Sequence, residues 1–396
     1  RGVFDIDTAR AETVGRHYGL QVYPSYAALL ADPTVEIVVN LTNIGAHYEV
    51  TKRALTAGKH VYSEKPLTTA IEQTRELFAL AAARGVVLTG APCNIYSDSV
   101  GTLWKAVRDG AIGKPVLVYA ELDDSPAHLM SVEKVRSPTG APWPYVEEYQ
   151  EGCTFEHVGY HLVWICALFG PARSVTAFSK CLIRHKTDTP LAPADTPDYS
   201  VACLDFADGV AARVTCSIVA PRDHRLRVIG EEGEICVESY CHYQAPVRLE
   251  RFSAVGLPAR KAPTVRAPPL LGRAFRVGGG RVPLLRRSLK QKLVSWIRRR
   301  EIYAQDKLLG IAEMARALRD GRPQPTPPDF LMHVNELTLL IQGAGPRGIT
   351  TVPTTSFAPI EPPPEVANGR PDYRAGYRPR LLERVLGGLI ETLHKS

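Results

Sequence analysis

Short apolar runs alternate with amphipathic stretches up to about residue 117 of the chain. The runs are rich in β-branched residues, as buried strands are, and the stretches between them repeat apolar positions every three or four residues, as helices do. Strands about 25 residues apart with helices between them form right-handed βαβ units, so the pattern predicts a parallel sheet covered on both faces. The predicted strands are 2–6, 36–41, 60–62 and 86–88, and the predicted helices are 8–18, 25–30, 46–57 and 70–84.

Beyond Gly113-Lys114-Pro115 the strand candidates follow one another more closely. Ala207-Asp208-Gly209 between two of them is a hairpin signal, and their order predicts a large, mostly antiparallel open sheet. A long apolar helix at 156–169 is predicted to pack on this sheet. The strand candidates are 116–122, 174–178, 199–206, 210–219, 226–229 and 235–238; a loop is predicted at 258–283, and helices at 305–319, 329–342 and 379–394.

The two patterns divide the chain into an α/β part and an α+β part. The sequence predicts a parallel-sheet domain at 1–118, an α+β domain at 119–345 with a basic insertion at about 255–300, and a Pro-rich tail at 346–396. Residue 1 is arginine, and the first apolar run resembles a strand already under way. We therefore expect the first βα unit of the parallel-sheet domain to lie before residue 1.

Composition indicates a globular protein, with 45% hydrophobic and 22% charged residues among 396. No run approaches the roughly 18 apolar residues that a membrane-spanning helix needs. The eight cysteines are scattered, contain no C-x-x-C pair, and are interpreted as reduced thiols. These features predict a soluble, cytoplasmic protein.

The net charge of +7 arises from one segment of the chain. Of the 48 basic residues, fourteen lie at 251–300 without a single Asp or Glu, which leaves 34 basic against 41 acidic residues elsewhere. Leucines and Trp296 spaced three or four residues apart predict an amphipathic basic helix from about residue 285. Three interpretations stay open: a solvated helix, a peripheral contact with an anionic membrane, and a surface for an acidic substrate such as a nucleotide sugar. Nucleic acid is not predicted as a partner, because aromatic residues are sparse in this segment.

Acidic residues follow the first predicted strand, at the edge where parallel sheets bind ligands. In dinucleotide-binding sheets a carboxylate at this place accepts hydrogen bonds from the adenosine ribose, and Asp5 is the candidate. A carboxylate would repel a 2′-phosphate, which favours NAD over NADP. Asp7 is interpreted as the N-cap of the following helix. The glycine fingerprint of such sheets is expected about 20 residues earlier and so before residue 1.

Residues 36–69 read EIVVNLTNIGAHYEVTKRALTAGKHVYSEKPLTT. This run resembles the Gfo/Idh/MocA family (glucose-fructose oxidoreductase and inositol dehydrogenase), which shows a T-P-x-x-x-H turn after one strand and A-x-x-A-G-K-H-V-x-x-E-K-P around the next. The resemblance implies a Rossmann-type domain that binds NAD, a second domain for the substrate, and a homo-oligomer. It also implies that Thr42 and Asn43 lie beside the nicotinamide half of the cofactor, although Asn43 departs from proline, and that His47 is the histidine of this turn.

The same resemblance gives roles to the E-K-P turn. Glu64 is expected to position Lys65, Pro66 to follow a cis peptide, and Asn94 to contact cofactor or substrate. Lys65 is the predicted catalytic cation, because an ammonium group there can hold a substrate hydroxyl and stabilise the negative charge that develops as hydride leaves carbon. A strand that ends in a rigid turn at the ligand edge suits this task.

The second chemical element of the family is D-x-G-x-H on a long helix, and this chain has EHVGYHLVWICALFG at 156–170. His157 stands at the aspartate position. His161 is the predicted proton acceptor, since histidine has a suitable pKa, and His157 the predicted partner on the same face of the helix. Two alternatives stay open: both histidines are core residues, or Cys153 joins them around a metal, for which a fourth ligand is missing and which is not predicted.

The sequence thus predicts an NAD(P)-dependent oxidoreductase that transfers hydride to or from a secondary hydroxyl of a sugar, nucleotide sugar or related polyol. The alternative is a catalytically silent relative that serves as a binding or scaffold protein at a membrane surface. The altered D-x-G-x-H motif supports the alternative, and turnover of added sugars by bound cofactor would separate the two.

Overall fold

The structure is a computed structural model, and it describes residues 1–253, 279–285 and 305–373 together with residues 385 and 392. The predicted basic helix and the predicted helix at 379–394 therefore lie outside the described residues, except for single positions. The same holds for most of the predicted loop at 258–283.

The N-terminal part alternates strands and helices, as the pattern predicts. Its strands pair in parallel, in one pair of two strands and one group of three. Its elements are β1 (Gly2–Val3), α1 (Thr8–Tyr18), β2 (Gln21–Val22), α2 (Tyr26–Ala31), β3 (Ile37–Asn40), α3 (His47–Thr56), β4 (His60–Ser63), α4 (Ile71–Arg84), β5 (Leu88–Gly90) and α5 (Asp98–Arg108).

The strands of the group β3, β4 and β5 end at the same level. Asn40 is paired with Ser63, and Ser63 with Gly90, so the turns that follow the three strands share one edge of the sheet. At β1, the side chain of Asp7 accepts a hydrogen bond of 3.1 Å from the backbone N–H of Arg10, which confirms that Asp7 caps α1.

The second part is built on one sheet of nine strands in the order β13-β12-β11-β10-β6-β9-β8-β7-β14. All neighbours are antiparallel except β6 and β9, so the predicted large, mostly antiparallel sheet is confirmed. The strands are β6 (Pro115–Asp123), β7 (Ala172–Lys180), β8 (Tyr199–Phe206), β9 (Ala211–Ser217), β10 (Leu226–Gly230), β11 (Gly233–Val237), β12 (Val247–Arg251), β13 (Gly280–Val282) and β14 (Ile349–Thr351).

Helices cover one face of this sheet, and they differ from the prediction in one respect that matters for the site. The predicted helix at 156–169 is two consecutive helices joined at Val158, whose dihedral angles stay helical (φ −59°, ψ −31°), and the first of them begins earlier, at Cys153. The helices are α6 (Tyr145–Glu151), α7 (Cys153–His157), α8 (Gly159–Phe169), α9 (Leu309–Arg319), α10 (Pro328–Gln342) and α11 (Pro364–Ala367).

Four strands, β2, β12, β13 and β14, lie where the sequence predicts none, and two of them fall in segments predicted to be a loop or a tail. β13 falls in the predicted loop, and β14 falls in the predicted tail, where it pairs with β7 and extends the sheet. Both strands have three residues, too few for a periodic pattern to stand out. The tail at 346–396 is thus partly built into the α+β domain.

The core continues from one part of the molecule into the other. α8 is buried along most of its length, and α10 packs against α8 and β7 on one side and against α4 of the parallel-sheet part on the other. Within the described ranges, we find no helix with the length and apolarity required to span a bilayer.

Candidate active site

The E-K-P turn directly follows β4, and its backbone is held on both sides. The peptide between Lys65 and Pro66 is cis, as the resemblance implies. The N–H of Glu64 donates to the carbonyl of Asn40 at 2.9 Å, and the N–H of Lys65 donates to Oε2 of Glu64 at 3.2 Å. Glu64 therefore fixes the backbone from which the Lys65 side chain extends.

His47 joins this turn to the turn after β3. Its Nδ1 lies 2.7 Å from the carbonyl oxygen of Pro66, and its Nε2 lies 2.9 Å from that of Thr42. The side chain is buried, so both ring nitrogens face protein carbonyls rather than a ligand. His47, predicted as a cofactor-binding residue, instead holds together the two turns that border the ligand edge.

The remaining predicted cofactor residues lie on neighbouring turns of the same edge. The hydroxyl of Thr42 donates to Oδ1 of Asn40 at 2.7 Å, and Asn43 is exposed before a 3₁₀ turn. Asn94 follows β5, is buried, and donates from Nδ2 to the carbonyl of Tyr160 at 2.7 Å. Its carboxamide oxygen is buried without a hydrogen-bond partner in the part of the chain that the structure describes.

Asp5 lies apart from these turns, beyond the end of β1. Its Oδ1 accepts a hydrogen bond of 2.9 Å from the N–H of Asp7, and its Oδ2 lies 3.6 Å from Nη1 of Arg10. The carboxylate is partly exposed, as contact with a ribose requires. Its role in cofactor binding stays a prediction.

The Lys65 ammonium meets a carboxylate from the second domain that the sequence did not indicate. Its Nζ donates to Oε2 of Glu156 on α7 at 2.5 Å and lies 6.0 Å from the centre of the Tyr160 ring. Both partners of the ion pair are largely but not completely buried, with 12% and 17% of their side-chain surfaces exposed. The pair closes the space between the two domains at the ligand edge.

A second carboxyl group, that of Glu148, lies within the electrostatic influence of the ion pair between Lys65 and Glu156. Burial alone would raise the pKa of Glu156, but the charge of Lys65 and its hydrogen bond outweigh burial and hold the pKa below its usual value. Burial and the nearby charge of Glu156 raise the pKa of Glu148 to about 8. Near neutral pH the site therefore holds an ionised Glu156 beside a Glu148 that is mostly protonated.

His157, the second predicted catalytic residue, lies next to this pair. Its Nε2 is 3.7 Å from Oδ2 of Asp124, which comes directly after β6. Burial lowers the pKa of His157, although the charges of Asp124 and Glu156 act in the opposite direction. The imidazole is thus neutral at physiological pH and able to accept a proton.

His161 is placed differently from the prediction. Its Nε2–H donates to the carbonyl of Glu121 at 2.9 Å, and its Nδ1 accepts from the indole N–H of Trp164 at 3.0 Å. The side chain has no exposed surface, and burial lowers its pKa to about 4. Both ring nitrogens are occupied, so this geometry contradicts the predicted role of His161 as proton acceptor and agrees with the alternative that it is a core residue.

Sequence reasoning missed Glu156, Glu148 and Asp124. Glu156 stands one position before the aspartate position of the motif, and the signal was a carboxylate on an otherwise apolar helix. Cys153 is buried against the carbonyl of Cys216 rather than aimed at the histidines. Over the described ranges, His, Cys, Asp and Glu side chains form no group of three suited to a metal ion.

The polar groups at this edge fit the nicotinamide half of a dinucleotide. That half presents a carboxamide and ribose hydroxyls, which are neutral hydrogen-bonding groups. The hydroxyl of Thr42, the carboxamide of Asn43 and the unpartnered oxygen of Asn94 are neutral as well, and Lys65 is the cation beside them.

Two family models match the chain in the order of its domains. The oxidoreductase family model with an NAD-binding Rossmann fold matches residues 1–91, and the GFO/IDH/MocA C-terminal domain model matches residues 100–236. The chain belongs to the Gfo/Idh/MocA family of oxidoreductases. The family named from residues 36–69 is therefore confirmed, as are its NAD-binding Rossmann fold and its dehydrogenase class.

Individual Gfo/Idh/MocA relatives are distant. An uncharacterized oxidoreductase of Synechocystis is 28% identical over 296 residues, which cover 67% of this chain and 76% of the relative. The scyllo-inositol 2-dehydrogenase (NADP(+)) IolW of Bacillus subtilis is 28% identical over 230 residues, and the match spans 58% of this chain and only 59% of that enzyme.

Among solved Gfo/Idh/MocA structures, this chain resembles the WlbA dehydrogenase from Bordetella pertussis in complex with NADH and UDP-GlcNAcA. The TM-score is 0.61 at 16% identity, with 86% of each chain covered. At this identity the likeness shows the shared fold alone.

Proposed function

We propose that this protein transfers hydride between a nicotinamide cofactor and a secondary hydroxyl carbon of a sugar, nucleotide sugar or related polyol. The ion pair between Lys65 and Glu156 carries the proposal, because it brings a cation from the cofactor edge against a carboxylate from the second domain. The names of the inositol dehydrogenase relative and of the complex with UDP-GlcNAcA support a polyhydroxylated substrate.

Each charged group has a task in this reaction. The cofactor, when bound, accepts or supplies the hydride. Lys65 donates hydrogen bonds to the substrate oxygen and stabilises the negative charge that develops there, while Glu156 keeps its ammonium group in place. The neutral imidazole of His157 takes up the hydroxyl proton during oxidation and returns it during reduction.

NAD rather than NADP is the proposed cofactor of this chain. The carboxylate of Asp5 offers acceptors to ribose hydroxyls and would repel a 2′-phosphate, although Arg10 at 3.6 Å offsets part of its charge. Comparison of the dissociation constants for NADH and NADPH tests this choice. Tighter binding of NADPH would contradict it.

The function is tested with Lys65→Met and Lys65→Arg in the full chain, assayed with NAD and NADP against free sugars, inositols and UDP-sugars. We expect turnover of at least one substrate by the wild type and a fall in kcat of about 10²- to 10³-fold in Lys65→Met, as when a group that stabilises an oxyanion is removed. NADH binding, followed by fluorescence, should persist. Lys52→Met serves as the control, since Lys52 pairs with Glu76 on the surface.

One observation favours a second candidate, a catalytically silent binding protein. The histidine that the family motif provides is His161, and its ring is committed to Glu121 and Trp164. Tight binding of NADH without turnover of any substrate in the panel would support this candidate and contradict the oxidoreductase.

A further inference from the structure

Asp124 lies between two histidines that come from different elements. Its Oδ2 is 3.7 Å from Nε2 of His157 on α7, and its Oδ1 is 3.0 Å from Nε2 of His224, which lies between β9 and β10. Nδ1 of His224 in turn is 3.0 Å from Sγ of Cys241. A chain of ionisable groups thus leads from the reaction site into the second domain.

We propose that Asp124 is a positioning residue for proton transfer by His157, and that His224 holds Asp124 in that position. The family motif places an aspartate where this chain has His157. Asp124, which directly follows β6, places a carboxylate next to His157 from another part of the sequence. This inference rests on the proposed function, because it assigns the residues that manage the proton of that reaction.

The backbone around Asp124 is constrained. The N–H of Asp124 donates to the carbonyl of Ser217 at 2.9 Å, which ties it to β9. The next residue, Ser125, has φ of 79°, and among the described residues no other non-glycine residue has a positive φ. Such a conformation costs on the order of 1–3 kcal/mol and persists where the surroundings impose it, often at functional sites.

His224 lies against Asp124, although its Nε2 is not aligned for a hydrogen bond within the described residues. Burial raises the pKa of Cys241 to about 11, so its sulfur carries a proton at neutral pH and can donate to Nδ1 of His224. When Cys241 donates to Nδ1, a hydrogen of the His224 ring lies on Nε2, the atom 3.0 Å from Oδ1 of Asp124. The ring is buried and lies 4.9 Å from the ring of Tyr240, which restricts its rotation.

Every proton and electron pair of the proposed step has a donor and an acceptor in this arrangement. During oxidation the O–H bond of the substrate breaks and an N–H bond forms on the imidazole of His157, while the electron pair of the C–H bond leaves as the hydride of the proposed reaction. The imidazolium then lies beside the Asp124 carboxylate, which stabilises it. In reduction the same proton returns to oxygen.

Several charges face the two central groups. Lys65 and His224 disfavour the charged form of His157, whereas Asp124 and Glu156 favour it. Arg222 acts on Asp124 together with the two histidines, and they hold the pKa of this carboxyl below its usual value despite burial. Asp124 is therefore ionised at neutral pH.

The test compares Asp124→Asn with Asp223→Asn, which removes the same charge from a carboxylate that instead pairs with Arg225. Loss of the Asp124 charge makes the imidazolium less stable and lowers the pKa of His157. In Asp124→Asn we expect the acidic limb of kcat/KM for oxidation to move to lower pH by about one unit. The plateau of kcat should fall about tenfold or more, because the base is weaker.

A readout without turnover keeps the two proposals separable. NMR titration of the histidine ring nitrogens should show the His157 pKa shifted downward in Asp124→Asn and unchanged in Asp223→Asn, with or without NADH. If the wild type turns over no substrate of the panel but this shift occurs, the proposed function fails, whereas the coupling of Asp124 to His157 stands. If pH profile and titration of Asp124→Asn match those of the wild type, the positioning role is overturned.

Two substitutions of His224 test its proposed role in holding Asp124. His224→Gln keeps an N–H that can reach Asp124, and His224→Leu does not. We expect His224→Gln to retain a larger part of kcat and a pH profile closer to that of the wild type. Equal profiles in the two variants, with both proteins folded by circular dichroism, would contradict the role of His224.

Discussion

At the scale of single residues, neighbouring histidines of one helical segment have opposite tasks. His157 has Nε2 3.7 Å from Asp124 and an Nδ1 without a hydrogen-bond partner among the described residues, whereas His161, one turn further on, has both nitrogens bound inside the protein. They also differ in exposure, since 14% of the His157 side chain is exposed and none of His161 is. The distinction lies in hydrogen-bond partners, because an imidazole that already donates and accepts has no lone pair left for a substrate.

This reassignment makes a prediction for His161→Ala. The substitution leaves the buried indole N–H of Trp164 and the buried carbonyl of Glu121 without partners, and each such loss costs about 1–3 kcal/mol. We expect the free energy of unfolding in urea to fall by roughly 3 kcal/mol. At a temperature where the variant is folded, kcat should stay close to that of the wild type. The control is His185→Ala, because His185 is exposed.

A hundredfold loss of kcat in folded His161→Ala would contradict this conclusion and support His161 as the proton acceptor. The same measurement on His157→Ala should give the opposite result, with stability reduced less than turnover.

The residues of the site differ in how far the sequence predicted them. Lys65 and Glu64 sit in one short motif, and local pattern was sufficient to locate them. Asp124 and His224 are about a hundred residues apart in the chain, and they meet because Asp123 and Asp223 form a bridge between adjacent strand ends. No local pattern carries that information, since it arises from the pairing of the sheet.

At the scale of elements, the short helix α7 decides where the second domain reaches the cofactor edge. It carries Glu156 and is separated from α8 by one residue, Val158. Its entry is Gly152, whose φ of 98° is a conformation that side chains rarely adopt. A Cβ on Gly152 would lie 2.7 Å from the side chain of Thr196 and 2.8 Å from that of Gln342.

Gly152→Ala is therefore expected to displace α7 as well as strain the backbone. We expect a loss of stability of about 2–4 kcal/mol, the sum of the backbone strain and overpacking, together with a lower kcat. Gly170→Ala is the matched control: Gly170 ends α8 with φ of 82°, and a Cβ there meets nothing within 4 Å. It should lose only the backbone part, about 1 kcal/mol, and keep its kcat. Equal effects of the two substitutions would contradict the displacement of α7.

The division between α7 and α8 is one residue, Val158, whose backbone keeps helical dihedral angles. The apolar run at 156–169 predicts one helix, and propensity gives no reason to divide it. Both helices pack against α10, and α7 also lies against α6 and the strands β8 and β9. Longer strands such as β8, which the alternation of the sequence predicts at its observed bounds, needed no such information.

At the scale of the whole molecule, the two domains are joined by polar contacts around the site. Asn335 of α10 accepts a hydrogen bond of 3.0 Å from the N–H of Leu67 and donates to the hydroxyl of Thr74 at 2.9 Å. Leu67 lies two residues after Lys65. The second domain thereby contacts the E-K-P turn twice: Asn335 binds the backbone at Leu67, and Glu156 binds the side chain of Lys65. Assembly into a homo-oligomer stays a prediction.

The contact predicts the outcome of Asn335→Leu. The substitution leaves the N–H of Leu67 buried without an acceptor and should cost about 1–3 kcal/mol of stability. Because the turn that carries Lys65 loses a support, kcat should fall more than the affinity for NADH. Thr338→Val on the same helix is the control, since its hydroxyl donates to the carbonyl of Val334 within α10 and to no residue of the parallel-sheet part that the structure describes. A stability loss without any change in kcat would indicate that the E-K-P turn keeps its position without the contact to Asn335.

The lysine proposed to bind the substrate oxygen and the carboxylate that pairs with it belong to different domains of the protein. In the proposed reaction neither domain alone supplies both groups, so turnover depends on the angle between the domains. A ligand that separates the two domains would inhibit turnover without contacting the substrate hydroxyl. A contact that draws the domains together would increase turnover.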